Sequence, residues 1–283
     1  MIGFPSVGKS TLLSQLTGTD SEAAAYEFTT LTCIPGVIHY NDAKIQLLDL
    51  PGIIEGAAQG KGRGRQVIAV CKSADLLLMV LDASKSHGHK DILTRGETRA
   101  HALLPPPFSS SLGSDTPFSP PASPELESCG IRLNKKPPNI YFKLKKTGGV
   151  SFTTMVKLTH VDEKMVHRIL HEYKINHCEL LIREDISVDD LIDVIEGNRR
   201  YVKCVYVYNK IDVCAIEEVD QIARRPMSIP ISCYQKLNLD GLLVRLWDEM
   251  ELVRVYTKKV GKKPDFEEPV VLTPDRGGVD IGR

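Results

Sequence analysis

The sequence predicts an α/β fold in three layers, with a mainly parallel sheet between helices. Patterns typical of buried strands alternate with helical patterns. For example, a helix predicted at 65–73 precedes the apolar run Leu76–Leu81. Polar or glycine-rich segments follow the ends of several strands, where open α/β sheets bind ligands. A length of 283 residues, 42% hydrophobic and 25% charged, is typical of a globular chain with about two domains.

The first part of the chain predicts a helix over Thr11–Thr17 and two strands at 37–40 and 45–50, joined by a turn at Asn41-Asp42. The later patterns predict strands at 150–159, 179–182, 204–208 and 229–232, helices at 162–173, 187–196 and 239–252, and short strands at 253–256 and 270–272.

Composition changes at 96–124, which is rich in proline and serine. Prolines are excluded from helix interiors, and such a segment buries little apolar surface, so a disordered insertion is predicted there. The boundaries predicted around it are 1–138 and 201–252 for the two parts of one domain, 139–200 for a small inserted α/β domain, and 253–283 for the start of another domain.

The strongest motif lies close to the first residue, where the chain reads Gly3-Phe4-Pro5-Ser6-Val7-Gly8-Lys9-Ser10, followed by Thr11. It fits G-x-x-x-x-G-K-[ST], the pattern of a phosphate-binding loop. The glycines let the backbone wrap a phosphate, a helix beginning near Lys9 adds its positive end, Lys9 reaches the β/γ-phosphates, and the Ser10 hydroxyl ligates Mg²⁺.

Three further segments follow strands in an order that suits a nucleotide site. Asp49-Leu50-Pro51-Gly52 can hold Mg²⁺ through water and sense a γ-phosphate. In Asn209-Lys210-Ile211-Asp212, the Asp212 carboxylate can accept hydrogen bonds from both donors of guanine, a pair that adenine does not present. Asn209 would tie the base loop to the phosphate loop. The Lys210 stem would pack along the base. After the next strand, in Ser232-Cys233, a backbone N–H can meet the guanine O6. Thr29 and Thr30 are candidates for closing over the γ-phosphate, or part of an ordinary polar loop.

Net charge is zero, so no global field attracts nucleic acid or a membrane. No apolar run reaches the length of a membrane span. Seven scattered cysteines without a C-x-x-C pair favour reduced thiols in a cytoplasmic protein. His167 and His171 lie one helical turn apart, yet no carboxylate or cysteine is convincingly placed with them, which favours surface histidines over a metal site.

The runs GFPSVGKSTLL, YEFTTLTCIPG, DLPGIIEGAAQGKGRGRQ, GNRRYVKCVYVYNKID and YTKKVGKKPDF closely resemble the developmentally regulated GTP-binding proteins, Obg-type GTPases. Cys33 and Ala58 are more similar to the second paralogue type. The resemblance covers most of the chain except 96–124 and the last residues. It implies a P-loop NTPase G domain containing the inserted domain, followed by a partial β-grasp (TGS) domain linked to RNA or ribosome contact.

The resemblance also assigns roles to individual residues. Mg²⁺ would be held by Ser10 and Thr30, with Asp49. The nucleotide would be lined by Gly3, Phe4, Pro5, Ser6, Val7, Gly8, Lys9, Ser10, Thr11, Phe28, Thr29, Thr30, Leu31, Thr32, Asp49, Leu50, Pro51, Gly52, Asn209, Lys210, Ile211, Asp212, Ser232, Cys233 and Tyr234.

Ile53 occupies the position where many GTPases place the glutamine that orients the attacking water. An aliphatic side chain cannot orient water, so slow intrinsic hydrolysis is predicted, assisted by another group, a potassium ion or a partner. No residue is therefore assigned a catalytic role.

Three departures from the family pattern are expected to matter. Only Met1 and Ile2 precede the phosphate loop where relatives have a helical region and a strand, so the loop would lack its anchor. The TGS domain would be cut after about a third of its length. The insertion at 96–124 would split one helix, which suggests unspliced or mis-predicted sequence in a fragment of a longer product.

The sequence therefore predicts a GTP-binding, slowly hydrolysing switch that acts on translation or ribosomes, together with a regulatory protein of the family's kind, and with no membrane or DNA partner. Alternatives are a truncated non-enzymatic decoy that cannot hold nucleotide, an ATPase of the same branch, and an RNA-binding module with a secondary nucleotide site. Lys61, Arg63 and Arg65, and the lysines from Lys258 to Lys263, are candidate RNA contacts.

Overall fold

The computed structural model describes residues 1–4, 6–17, 34–50, 63–84, 126–127, 129–256, 258, 261, 266 and 269–272. It divides into two compact units: unit 1 comprises Met1–Cys129 and Val202–Arg283, and unit 2 comprises Gly130–Tyr201. The predicted insertion at 96–124 lies outside the described residues.

Unit 1 contains the elements on both sides of unit 2 in the sequence. In chain order they are α1 (Lys9–Thr17), β1 (Ile34–Tyr40), β2 (Ala43–Asp49), α2 (Arg63–Ser73), β3 (Leu76–Asp82), most of β8 (Arg200–Asn209), a 3₁₀ turn (Ile211–Val213), α5 (Ile216–Ala223), β9 (Ser228–Pro230), α6 (Leu239–Glu249), β10 (Val253–Val255) and β11 (Val270–Leu272).

The central sheet is parallel where the sequence predicted it. β3 and β9 both pair in parallel with β8, and Asp82 lies opposite Asn209 in the β3–β8 register. β1 and β2 form the predicted antiparallel hairpin, and β10 pairs antiparallel with β11. The strands bury a core that contains Val80, Val205 and Val207, onto which α1 and α6 pack through Leu12, Leu13, Leu242 and Leu246. The predicted mainly parallel α/β sheet is confirmed.

Met1 and Ile2 anchor the start of the phosphate loop. Ile2 donates to the Leu78 carbonyl at 2.9 Å and accepts from the Val80 amide at 2.8 Å, while the Met1 carbonyl accepts from Leu50 at 3.1 Å. Met1 and Ile2 are both buried. The expectation that the loop would lack an anchor was wrong, because these two residues already make ladder bonds to strands on both sides.

A cavity of about 440 Å³ opens beside Met1, between the first halves of β2 and β3. Its walls are formed by both strands together with Cys71, Leu246 and Met250.

Unit 2 is a small α/β layer structure. Its elements are β4 (Ile131–Leu133), β5 (Ile140–Leu144), β6 (Val150–Thr154), α3 (Glu163–Glu172), β7 (Cys178–Ile182) and α4 (Val188–Glu196). Central β7 pairs antiparallel with β5 and parallel with β6. One face packs on α3 and α4, whose Val166, Leu170 and Leu191 meet Leu180 and Ile182 in one core.

The caps explain why the helices of unit 2 begin where they do. Asp162 accepts a hydrogen bond from the Met165 amide at the start of α3, and Ser187 forms a capping box with Asp190 at the start of α4. β6 ends at Thr154 rather than 159. β4, β5 and α5 have no counterpart among the predicted elements.

Candidate nucleotide-binding site

The phosphate loop (Gly3–Ser10) passes so close to its neighbours that two positions require glycine. Gly3 has φ 153°, and a Cβ there would lie 2.3 Å from the Val80 carbonyl oxygen. Gly8 has φ 94°, and a Cβ there would lie 2.4 Å from Nδ2 of Asn209. The second contact brings the loop against the Asn209–Asp212 segment, the base motif, which is distant in sequence.

Asn209 joins the two motifs through its side chain. Its Nδ2 donates to the Val7 carbonyl at 2.8 Å, and its Oδ1 accepts from the Cys233 amide at 3.0 Å. The side chain is buried, and these two hydrogen bonds reach backbone groups of both loops. One amide thus joins the phosphate loop to the Ser232–Tyr234 turn.

Lys9 begins α1 and is almost buried. Its ammonium donates to the carbonyls of Gly3 and Phe4 at 3.0 and 2.8 Å. Burial lowers the pKa of Lys9, and the charge of Asp49 opposes that shift. An anion bound inside the loop would favour the charged form, since opposite charges at short range do so.

Ser10 and Asp49 lie together at the end of β2. The Ser10 hydroxyl donates to Oδ2 of Asp49 at 2.9 Å. Oδ1 of Asp49 is buried and has no hydrogen-bond partner among the described residues. A buried carboxylate oxygen beside a hydroxyl is a donor set that suits a hard cation such as Mg²⁺.

The base motif turns sharply after β8. Lys210 has φ 68°, and its ammonium donates to the Ser6 carbonyl at 3.0 Å and to Oδ2 of Asp82 at 2.7 Å. Asp212 follows in the 3₁₀ turn and accepts from the Ser232 hydroxyl at 2.6 Å. That bond orients the Asp212 carboxylate through Oδ1.

The Ser232–Tyr234 turn supplies a second edge of the site. The Ser232 hydroxyl also accepts from the Gln235 amide, at 3.2 Å. Because the Cys233 amide is bonded to Asn209, a guanine O6 would have to meet another amide of this turn. Burial raises the pKa of Cys233 to about 11, so its thiol stays protonated near neutral pH. Tyr234 projects into solvent.

Asp82 is a site residue that sequence reasoning missed. It ends β3 and is buried beside Lys210. Burial opposes its ionisation, but hydrogen bonds from Lys210 and Ser84 outweigh burial and lower the pKa of Asp82. The signal was present, since Asp82 follows a buried strand in the same way as Asp49 does.

Several predicted site residues lie outside the described residues, namely Pro5, Phe28, Thr29, Thr30, Leu31, Thr32, Pro51, Gly52 and Ile53. The structure brings together the described remainder of the phosphate loop, Thr11, Asp49, Leu50, the base motif and the Ser232–Tyr234 turn in unit 1. Within the described part of the chain, no group of three or more His, Cys, Asp or Glu is placed to hold a metal ion. None of the helices in that part is long and apolar enough to cross a membrane.

Two models of known protein families match the chain. A model described as "50S ribosome-binding GTPase" matches residues 1–104, and one described as "C-terminal region of MMR_HSR1 domain" matches residues 147–252.

The chain is also similar to individual proteins. It is 65% identical to "Developmentally-regulated G-protein 1" of Arabidopsis thaliana over 281 residues, which are 99% of this chain and 63% of that protein. It is 57% identical to the human "Developmentally-regulated GTP-binding protein 2", over 96% of this chain and 67% of that protein. The chain therefore spans less than two thirds of the Arabidopsis relative.

Among solved structures, Era in complex with MgGDPNP and a segment of 16S ribosomal RNA aligns with 88% of this chain and 54% of its own. The TM-score of that alignment is 0.38 and the sequence identity is 17%.

Proposed function

Since the chain belongs to the developmentally regulated GTP-binding protein family, a family of P-loop GTPases, we propose that it binds GTP and GDP and hydrolyses GTP slowly as a molecular switch in translation. The observation that carries the proposal is the Asn209 side chain, which bonds the phosphate loop on one side and the Ser232–Tyr234 turn on the other. A site for phosphates and a site for a base are thereby held together before ligand arrives, which lowers the cost of ordering on binding.

Guanine specificity is assigned to Asp212. Its carboxylate would accept from the ring N–H and the exocyclic amine of guanine, and the Ser232 hydroxyl holds it in place for that task. Adenine offers no such pair of donors, so an adenine nucleotide would forgo both hydrogen bonds to the half-buried Asp212 carboxylate.

Mg²⁺ would be held by Ser10 and Asp49, with Thr30 contributed by the first switch segment. The ion would neutralise charge on the β- and γ-phosphates. This chain's own contribution is to keep Oδ1 of Asp49 open and to hold Oδ2 on the Ser10 hydroxyl. Lys9 would leave the carbonyls of Gly3 and Phe4 for the phosphates.

GTP would order residues 26–32 and 52–65, and hydrolysis would release them. The partners proposed for the switch are the ribosome or its RNA and a regulatory protein of the family's kind. The family description "50S ribosome-binding GTPase" supports a ribosomal partner.

The binding test uses a fluorescent GDP analogue with GTP, ATP and xanthosine diphosphate as competitors. Lys9→Ala should weaken GDP and GTP binding by at least about 100-fold, because charge-assisted contacts to phosphate are lost. Asp212→Asn should weaken GDP binding by a similar factor but strengthen the binding of xanthosine diphosphate, because the new amide can donate to the carbonyl that replaces the guanine amine.

Each outcome of that test separates the alternatives. Binding that does not depend on Lys9 favours the decoy, and equal competition by ATP favours an ATPase. If Asp212→Asn unfolds as cooperatively as the wild type and binds neither nucleotide, the guanine assignment is wrong.

Slow hydrolysis is tested at Ile53, whose side chain cannot orient water. Ile53→Ala should change basal GTP turnover by only about a few-fold, because no catalytic contact is removed. Single-turnover hydrolysis with and without potassium measures the rate. A loss of several orders of magnitude would assign Ile53 a role that the proposal denies.

A further inference from the structure

Unit 2 has a strongly uneven distribution of charge. Residues 130–161 contain seven lysines and arginines and no aspartate or glutamate, although the whole chain has 36 residues of each sign. Helices α3 and α4 carry six of the acidic residues that follow: Glu163, Glu172, Asp189, Asp190, Asp193 and Glu196. The helical layer is therefore acidic, and the strands β5 and β6 with their loops are basic.

The basic residues border a sheet face that the helices leave uncovered. Side chains alternate along a strand, so the residues between those of the α3–α4 core point to the other face. Tyr141, Leu181 and Thr153 form one row across the three strands of that face. Tyr141 is 44% exposed.

The next row and the loop after β5 supply the cations. Lys143 lies opposite Glu179, which is paired with Lys145 at 3.4 Å. Lys143 and Lys146 are exposed, and neither has a carboxylate partner within the part of the chain that the structure describes. The face thus carries lysines in excess of its single carboxylate.

The loop from Lys145 to Gly149 ends in two glycines that have open space beside their backbone. Gly148 and Gly149 have φ 103° and 72°, and a Cβ at either would meet no atom within 4 Å. A ligand can therefore approach the backbone here without a side chain in the way.

We propose that this basic sheet face, defined as Tyr141, Lys143, Lys145, Lys146, Ser151 and Thr153, binds single-stranded RNA. The lysines would contact phosphates, and an unpaired base would stack on the exposed ring of Tyr141. The lysine excess complements a phosphate backbone, and the aromatic ring on an open sheet favours a nucleic acid over an acidic protein segment. The proposal stands on unit 2 alone and goes beyond guanine-nucleotide binding.

The test measures binding of a labelled 20-nucleotide oligouridylate to the full chain by fluorescence anisotropy over a series of salt concentrations. Lys143→Gln, Lys145→Gln and Lys146→Gln combined should weaken binding by about tenfold or more. The same variant should reduce the slope of log affinity against log salt by about 2, since each lost phosphate contact on a single strand contributes about 0.7.

A matched control removes the same charge from the opposite side. Lys164, Arg168 and Lys174 are exposed on or just after α3. Their combined change to glutamine should leave the affinity within about twofold of the wild type, because charges beyond about one Debye length are screened. Urea unfolding of both triple variants shows whether each is folded.

Tyr141 distinguishes RNA from a merely anionic ligand. Tyr141→Ser should weaken RNA binding by about tenfold, and Tyr141→Phe should keep it, because stacking needs the ring and not the hydroxyl. Tyr141→Ser should bind the fluorescent GDP analogue as the wild type does, so failure at the nucleotide site and failure here are separable.

Three results would overturn the proposal. The first is unchanged binding in the Lys143, Lys145 and Lys146 variant. The second is an equal loss in the α3 control. The third is competition by a polyglutamate peptide together with normal binding by Tyr141→Ser, which would assign the face to an acidic protein.

Discussion

Two buried carboxylates, Asp49 in unit 1 and Asp193 in unit 2, differ in how completely the chain satisfies them. Asp193 accepts two hydrogen bonds from Arg132, at 2.7 and 2.8 Å, and one from Arg199 at 3.0 Å, with the Tyr201 hydroxyl at 3.4 Å. Asp49 accepts only from Ser10 on Oδ2, and its Oδ1 has no partner among the described residues.

The difference is consistent with a structural role for Asp193 and with the binding role proposed for Asp49. A buried charge is costly unless it is paired, and a saturated one has no lone pair left for a ligand. Asp193 therefore joins Arg132 of β4 to Arg199 and Tyr201 at the start of β8. Asp49 keeps a buried acceptor oxygen without a partner among the described residues, as expected of a residue whose partner is a ligand.

The largest effect is expected at Asp193. Asp193→Asn should lower the free energy of unfolding by about 3–5 kcal/mol, because Arg132 and Arg199 both lose the charge of Asp193, while Arg199 keeps its ion pair with Glu196 at 2.8 Å. Urea denaturation measures the change. A loss below about 1 kcal/mol would show that the network adds little to stability.

The same substitution at Asp49 should behave in the opposite way. Without nucleotide, Asp49→Asn should change the free energy of unfolding by less than about 1 kcal/mol, because it removes an incompletely paired buried charge. The gain in nucleotide affinity on adding Mg²⁺ should instead fall by about tenfold or more, as when a metal ligand or its neighbour is lost. Equal destabilisation by the two substitutions would contradict the comparison.

Low pH should remove the contribution of Asp193 to the free energy of unfolding. Burial opposes ionisation there, but Arg132 and Arg199 outweigh it and lower the pKa of Asp193. A carboxyl whose pKa is lower in the folded than in the unfolded state stabilises the fold above the unfolded value, about 3.9, and that stability is lost as pH falls through the folded value. The stability difference between wild type and Asp193→Asn should therefore be constant from pH 7 to about 5 and shrink below about pH 4. A difference that persists at the lowest pH would mean that packing, not charge, is responsible.

The smallest effect is expected for an exposed pair on α5. Arg224 donates to Asp220 at 2.7 Å one helical turn away, with both side chains largely in solvent. Arg224→Ala should leave the midpoint of urea unfolding unchanged within error, because exposed pairs contribute little. A shift as large as that of Asp193→Asn would mean that burial does not decide these contributions.

The family resemblance and the fold class predicted from the sequence are confirmed. The sequence motifs made this possible, because the close contacts of Gly3, Gly8 and Asn209 in the structure require these residue types. The nucleotide roles of individual residues stay predictions, and so does the cytoplasmic location.

Other features depend on tertiary context that one sequence does not display. The hydrogen bond from the Cys233 amide to Asn209 depends on the distance between the end of β8 and the Ser232–Tyr234 turn. β5 reads Ile140-Tyr141-Phe142-Lys143-Leu144, residue types that favour a strand, so its existence was within reach of the sequence, whereas its antiparallel pairing with β7 was not. The pairing of Asp193 with Arg132 links positions 61 residues apart, for which no local pattern exists.

The position of Asn209 also bears on kinetics. Its single amide group closes both the phosphate end and the base end of the site, so neither end can loosen while that group keeps its two bonds. For the nucleotide site proposed above, we expect the phosphate end and the base end to release a bound nucleotide together, because the same amide group holds both loops.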